Sequence, residues 1–161
     1  MNEQEGFKWF IAGFVAGEGC FSVYLQNITM MGVKKIKRYN YPIVHPEFKI
    51  TQHKWSGELL NKIKSFFKCG HIYKFNNILN YRVINQRDLA TIIIPFFDKY
   101  HLFNSHKMYS YMFWRDIILK LYYRKKRSLS KSFRKYIFDM SRKINPNGIK
   151  RECKIDNKWF E

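Results

Sequence analysis

The stretch WFIAGFVAGEGCFSV, Trp9 to Val23, is an apolar run interrupted by Gly13, Gly17 and Gly19 and by one carboxylate, Glu18. A carboxylate at the C-terminal end of a helix meets the negative end of the helix macrodipole, an unfavourable placement unless a cation offsets it. Mg²⁺ prefers oxygen ligands and often takes one or two carboxylates together with phosphate oxygens. Glu18 is therefore a candidate metal ligand for phosphodiester hydrolysis.

On a helix Gly13 and Gly17 share a face, with Ala12 and Ala16 beside them. Small residues at this spacing allow close backbone approach, either of a second helix or of the chain's own sheet. The lone acid favours a second copy. Two such helices meeting along Gly13 and Gly17 would bring two Glu18 carboxylates to a two-fold axis, an arrangement suited to cutting two antiparallel strands.

The charge agrees with that chemistry. The 161 residues include 30 Lys and Arg against 12 Asp and Glu, a formal net charge of +18, so a polyanionic partner is expected, nucleic acid ahead of an anionic membrane. An aromatic content of 19% argues for a packed fold beneath the charge. The length suits a single domain over 1–161, with a core at about 6–145 and a C-terminal tail at 146–161. Cys20, Cys69 and Cys153 are far apart and odd in number, which speaks against a disulfide framework and for an intracellular protein. No secretory leader is legible at the start, and no apolar run approaches the roughly 20 residues of a membrane span. The richness in Lys, Asn, Ile, Phe and Tyr matches A·T-rich codons.

The elements that would position Glu18 follow from periodicity. Gly6 to Glu18 reads as a helix, with Gly19 as a left-handed cap. CFSVYLQN alternates as a strand, Met31 to Tyr41 is a basic loop with Pro42 and Pro46 at its exit, and EFKITQ is a second strand paired with the first. Ser56 caps a helix to Phe67, which Gly70 ends. HIYKF and NYRVI flank Asn76 and Asn77 as a second hairpin. Asp88 to Tyr100 is a helix that Pro95 should kink or break. Two further helices, at about Lys107 to Tyr123 and Ser130 to Lys143, complete an α+β layer with all strands in one antiparallel sheet.

IAGFVAGEG, Ile11 to Gly19, resembles the signature helix of the LAGLIDADG homing endonucleases, in a single copy. FKITQHKW, NYRVINQRDL and IIIPFFDKYHLFNSHK fall in the family's order and spacing, so the resemblance covers roughly residues 7 to 145. It implies an αββαββα subunit whose sheets form a saddle over double-stranded DNA. A single motif implies a homodimer, with Ala12, Gly13, Ala16 and Gly17 at the interface.

The resemblance also implies an intron-encoded, Mg²⁺-dependent (or Mn²⁺-dependent) enzyme of an organelle, mitochondrion or chloroplast, with no membrane role. Glu18 takes the metal-binding acid beside Gly17, and Gln52 matches a polar residue that orders the attacking water. Lys107 matches the lysine that stabilises charge at the scissile phosphate, with His106 as its alternative. Ala16 departs from the motif's first acid. Two other readings stand beside the nuclease: a maturase that helps its host intron RNA fold, and a DNA-binding scaffold without chemistry.

On the strand faces opposite the core, alternation nominates Ser22, Tyr24, Gln26, Glu47, Lys49, Tyr73, Asn80 and Arg82 as groove-facing residues. Arg82 is suited to guanine, Gln26 and Asn80 to adenine. Lys34, Lys35, Lys37 and Arg38 are placed to meet phosphates. Cys69 and His71 lack the paired spacing of a zinc site.

Overall fold

The side chain of Asn2 accepts a hydrogen bond from the Glu5 amide at 2.8 Å, and helix α1 (Glu3–Glu18) begins there with Glu3 and Glu5 in its first turn. Both features satisfy or complement the free amides of a helix start, so the helix begins three residues before the expected Gly6. The computed structural model describes residues 2–26, 43–124 and 128–144. The basic loop nominated for phosphate contact (Lys34, Lys35, Lys37, Arg38), Cys153 and the expected tail lie outside the described residues.

Helix α1 turns into strand β1 (Gly19–Gln26) with no intervening loop. Gly19 is extended there (φ −76°, ψ 154°), not left-handed. Its glycine identity has a steric cause: a Cβ would stand 2.5 Å from Val15 Cγ1 and 2.7 Å from the Val15 carbonyl oxygen.

Strand β2 (Ile43–His53) pairs antiparallel with β1 and is longer than the alternation suggested. Pro46, expected in the loop, lies within it opposite Val23. Among the described residues β2 has only β1 beside it there, because pairing with β4 begins at Phe48, and a strand tolerates proline where one flank is unpartnered.

A short 3-10 turn (Lys54–Ser56) leads into helix α2 (Gly57–Phe67), so Ser56 ends that turn and makes no side-chain cap. Lys68 takes the left-handed position after α2 (φ 53°), with Gly70 (φ 74°) two residues on. Strands β3 (His71–Phe75) and β4 (Ile78–Val83) form the second hairpin, with Asn76 left-handed in its turn. The four strands make one antiparallel sheet in the order β1-β2-β4-β3, as the α+β reading required.

From Gln86 to Lys99 the chain stays helical: α3 (Gln86–Asp88), a π-type segment (Leu89–Ile93) and α4 (Ile94–Lys99). Pro95 therefore does not break this run. The π-type turn widens the helix just ahead of it, relieving the clash between its ring and the carbonyl four residues back.

Helix α5 (Ser105–Tyr123) and helix α6 (Lys131–Ile144) follow. Helices and one sheet face enclose a core centred on the rings of Phe21, Phe48, Phe97 and Trp114. Asp98 on α4 holds Arg115 on α5 through both carboxylate oxygens and accepts from the Tyr111 hydroxyl at 2.7 Å. That fixes the angle at which α5 enters the core and so where its first turn lies.

Candidate active site and nucleic-acid interface

Three elements converge where α1 ends. Glu18, the last residue of α1, is exposed. Gln52, one residue before the end of β2, donates through Nε2 to Glu18 Oε2 at 3.1 Å. By strand parity Gln52 belongs to the helix-covered side of the sheet with Phe48 and Ile50, which is why it reaches a helix terminus and not the open face. The third element is the first turn of α5. Asn104 caps it by accepting from the Lys107 amide at 3.1 Å, and the Lys107 ammonium donates to the Gly19 carbonyl oxygen.

Glu18, Gln52 and Lys107 are thus brought together from positions far apart in the chain. His106, the alternative to Lys107, is exposed on α5. The lysine also changes the electrostatic argument for Glu18. No basic residue occupies the last turn of α1, but Lys107 brings a cation from another helix to the Gly19 carbonyl, one residue past its end. Part of the offset that the sequence seemed to demand of a metal comes from the chain itself.

Among the described residues no group of three or more His, Cys, Asp or Glu side chains is placed to hold a metal ion. The donor set is one exposed carboxylate, Glu18, next to the exposed Gly17 backbone. That set fits a hard cation which keeps several waters and draws its remaining oxygens from phosphate or from a second carboxylate. It does not fit zinc.

Gly13 and Gly17 are exposed, and a Cβ added at either meets nothing within 4 Å. Glycine in a helix interior costs about 1 kcal/mol relative to alanine, and nothing among the described residues requires it here. Ala16 is half-buried beside them. Ala12 is corrected: with 1% of its surface accessible it packs in the core between Ile11 and Val15, one helical step away from the open face.

The face of the sheet that carries no helices presents a cross-strand row, Cys20, Lys49, Arg82 and His71. A second row joins Thr51, Asn80 and Tyr73, where the Thr51 hydroxyl donates to Asn80 Oδ1 at 2.8 Å. Ser22 and Tyr24 lie on this face of β1, and Tyr24 stacks on His45 with ring centroids 5.0 Å apart. Gln26 closes β1 opposite Ile43, its side chain outside the described set.

Glu47 is the second correction. It is 5% exposed, and its carboxylate is taken by Arg82 Nε, so it is the partner of a surface residue and is not available to a base. The arginine is tied down, not lost. Burial alone would lower its pKa, but the Glu47 carboxylate more than offsets that and keeps it firmly charged. His45 was missed because Pro46 was read as a strand limit; continuing the period of two through the proline would have found it.

The model of the family described as LAGLIDADG endonuclease matches residues 11–118, most of the described chain. The chain belongs to this family. A probable intron-encoded DNA endonuclease of Mycosarcoma maydis is 29% identical over 115 residues, 71% of this chain and 38% of that relative. The chain spans less than half the length of the curated relatives it matches. Two solved structures are similar over most of the chain. I-SmaMI, bound to uncleaved DNA target in the presence of calcium ions, has a TM-score of 0.74 at 29% identity, with 86% of this chain and 45% of that chain covered. The homing endonuclease I-TnaI has a TM-score of 0.72 at 26% identity, with 86% and 87% covered.

Proposed function

We propose that this chain is a site-specific, intron-encoded homing endonuclease that cuts both strands of duplex DNA as a homodimer. The observation that carries this reading is the convergence of Glu18, Gln52 and Lys107 at the edge of a sheet whose other face is cationic and, among the described residues, uncovered. The exposed Gly13 and Gly17, without any contact in the described chain that requires them, support close approach of a second copy along α1.

Mg²⁺ (or Mn²⁺) would be held by Glu18 with the Gly17 carbonyl beside it, and supplies Lewis-acid stabilisation of charge on a phosphodiester. The chain's residues do the rest. Gln52 fixes the direction of Glu18 Oε2 and keeps its own amide oxygen for ordering a water. Lys107 brings a cation to the end of α1, where charge accumulates on the phosphate during displacement. The sheet face reads the major groove, whose width accepts a β-ribbon.

The relatives named as intron-encoded, with the A·T-biased composition, support an organellar gene, mitochondrial or chloroplast. Among the described residues no helix is long and apolar enough to cross a membrane.

The test uses a duplex that joins the two sequences flanking the element encoding this chain. Wild type and Glu18→Gln are incubated with it in Mg²⁺ and in Ca²⁺, and the ends are mapped. Cuts on both strands by wild type in Mg²⁺ alone are expected. Duplex that is bound but intact in every lane would replace this reading with the maturase or the scaffold, for which binding needs neither Glu18 nor metal.

A further inference from the structure

Arg82 sits at the centre of the open sheet face, on β4 between β2 and β3. Its direct cross-strand neighbour is another cation, Lys49, a pairing that by itself is unfavourable. Glu47, two residues before Lys49 on the same strand, resolves the conflict from the diagonal position. Its carboxylate accepts from Arg82 Nε, and the Tyr73 ring lies 5.5 Å from the guanidinium carbon. The guanidinium is held from beneath by an acid and from the side by a ring.

A buried acid on this face opposes attraction of a polyanion, so it needs a compensating role. Bonding through Nε leaves the two terminal amino groups, and among the described residues they make no further hydrogen bond. Guanine offers N7 and O6 as adjacent acceptors in the major groove, which a two-pronged donor meets in one geometry. Phosphates flank the groove, whereas a side chain on a central strand faces its floor.

We propose that Arg82 is a guanine-reading residue of this surface and that Glu47 is the residue that positions it. This rests on the DNA-cutting reading above. Lys49 opposite Arg82 adds charge without the planar fork.

The experiment selects bound duplexes from a randomised pool with the wild-type protein in Ca²⁺, then repeats the selection with Arg82→Ala, Arg82→Gln and Glu47→Gln. Wild type should enrich guanine at one column of each half-site. Arg82→Ala should lower that preference about 5- to 100-fold and leave other columns unchanged. Arg82→Gln should move the column toward adenine, the base glutamine pairs with in two-pronged fashion. Glu47→Gln should relax the same column alone. A uniform loss across sequences in Arg82→Ala, with a salt slope shallower by about 1, would make Arg82 a phosphate contact and overturn the proposal. So would an unchanged profile in the Arg82 variants. If wild type enriches no duplex at all, the DNA-cutting reading itself fails, which is a different result from either of these.

Discussion

Gln52 and Glu18, 34 residues apart in the chain, share a hydrogen bond of 3.1 Å at the point where α1, β1 and β2 meet. The amide gives Glu18 Oε2 one fixed partner and, among the described residues, leaves its other oxygen open. Gln52→Ala frees that carboxylate without removing its charge. Cleavage by this variant should fall about 10²- to 10³-fold in kcat, the range seen when one oriented hydrogen-bonding group is removed, with binding nearly unchanged. An equal loss in binding would show that Gln52 serves DNA contact.

Lys107→Met keeps the length of the side chain and removes its charge. A kcat loss of similar size is expected, together with a small loss of stability because the Gly19 carbonyl loses its donor. His106→Ala should leave kcat near wild type. The opposite ranking of the two variants would reassign the role to His106.

The glycines of α1 separate chain stability from association. Gly13→Ala fills space that is open among the described residues and should stabilise an isolated subunit by about 1 kcal/mol. Gly17→Leu should instead yield monomers in sedimentation at concentrations where wild type is dimeric, with a stable fold and no double-strand cleavage. A Gly17→Leu protein that remains dimeric would remove α1 from the interface.

Gly19→Ala is expected to destabilise by about 1–3 kcal/mol, measured by urea unfolding, since its Cβ would overlap Val15. Combining it with Val15→Ala should recover only part of the loss, because the Val15 carbonyl remains 2.7 Å from the new atom.

His45 predicts a pH effect. Among the described residues its Nε2 is buried without a hydrogen-bond partner, and burial holds its pKa below the usual histidine range. A depressed folded pKa contributes stability that is complete above the unfolded value of about 6.5 and declines as pH falls through the folded one. Melting temperature should therefore drop as pH is lowered from neutral, and His45→Phe, which keeps a ring against Tyr24, should flatten the curve in that window.

Much of this was legible in the amino-acid order. The apolar periods of β1 and α2 are strong because each buries one face on a single core; the motif points to Glu18, and the wider resemblance nominates Gln52 and Lys107, which the fold brings to the same end of α1. What escaped depended on contacts between distant segments. Gly19 looks like a cap until Val15 is placed beneath it. Pro46 reads as a strand boundary unless the pairing of β2 with β4 is known to begin only at Phe48, two residues later. Glu47 shares its strand face with Lys49, and only the arrival of Arg82 from β4 turns a surface acid into a buried partner.

The contact between Lys107 and the Gly19 carbonyl is made within the subunit itself. Lysine carries about 1.5–2 kcal/mol of side-chain rotamer entropy that is lost when the side chain is ordered. Here that entropy is lost when the subunit folds. An anion reaching the end of α1 meets a side chain already ordered, and displaces a carbonyl oxygen from it where it would otherwise displace bulk water.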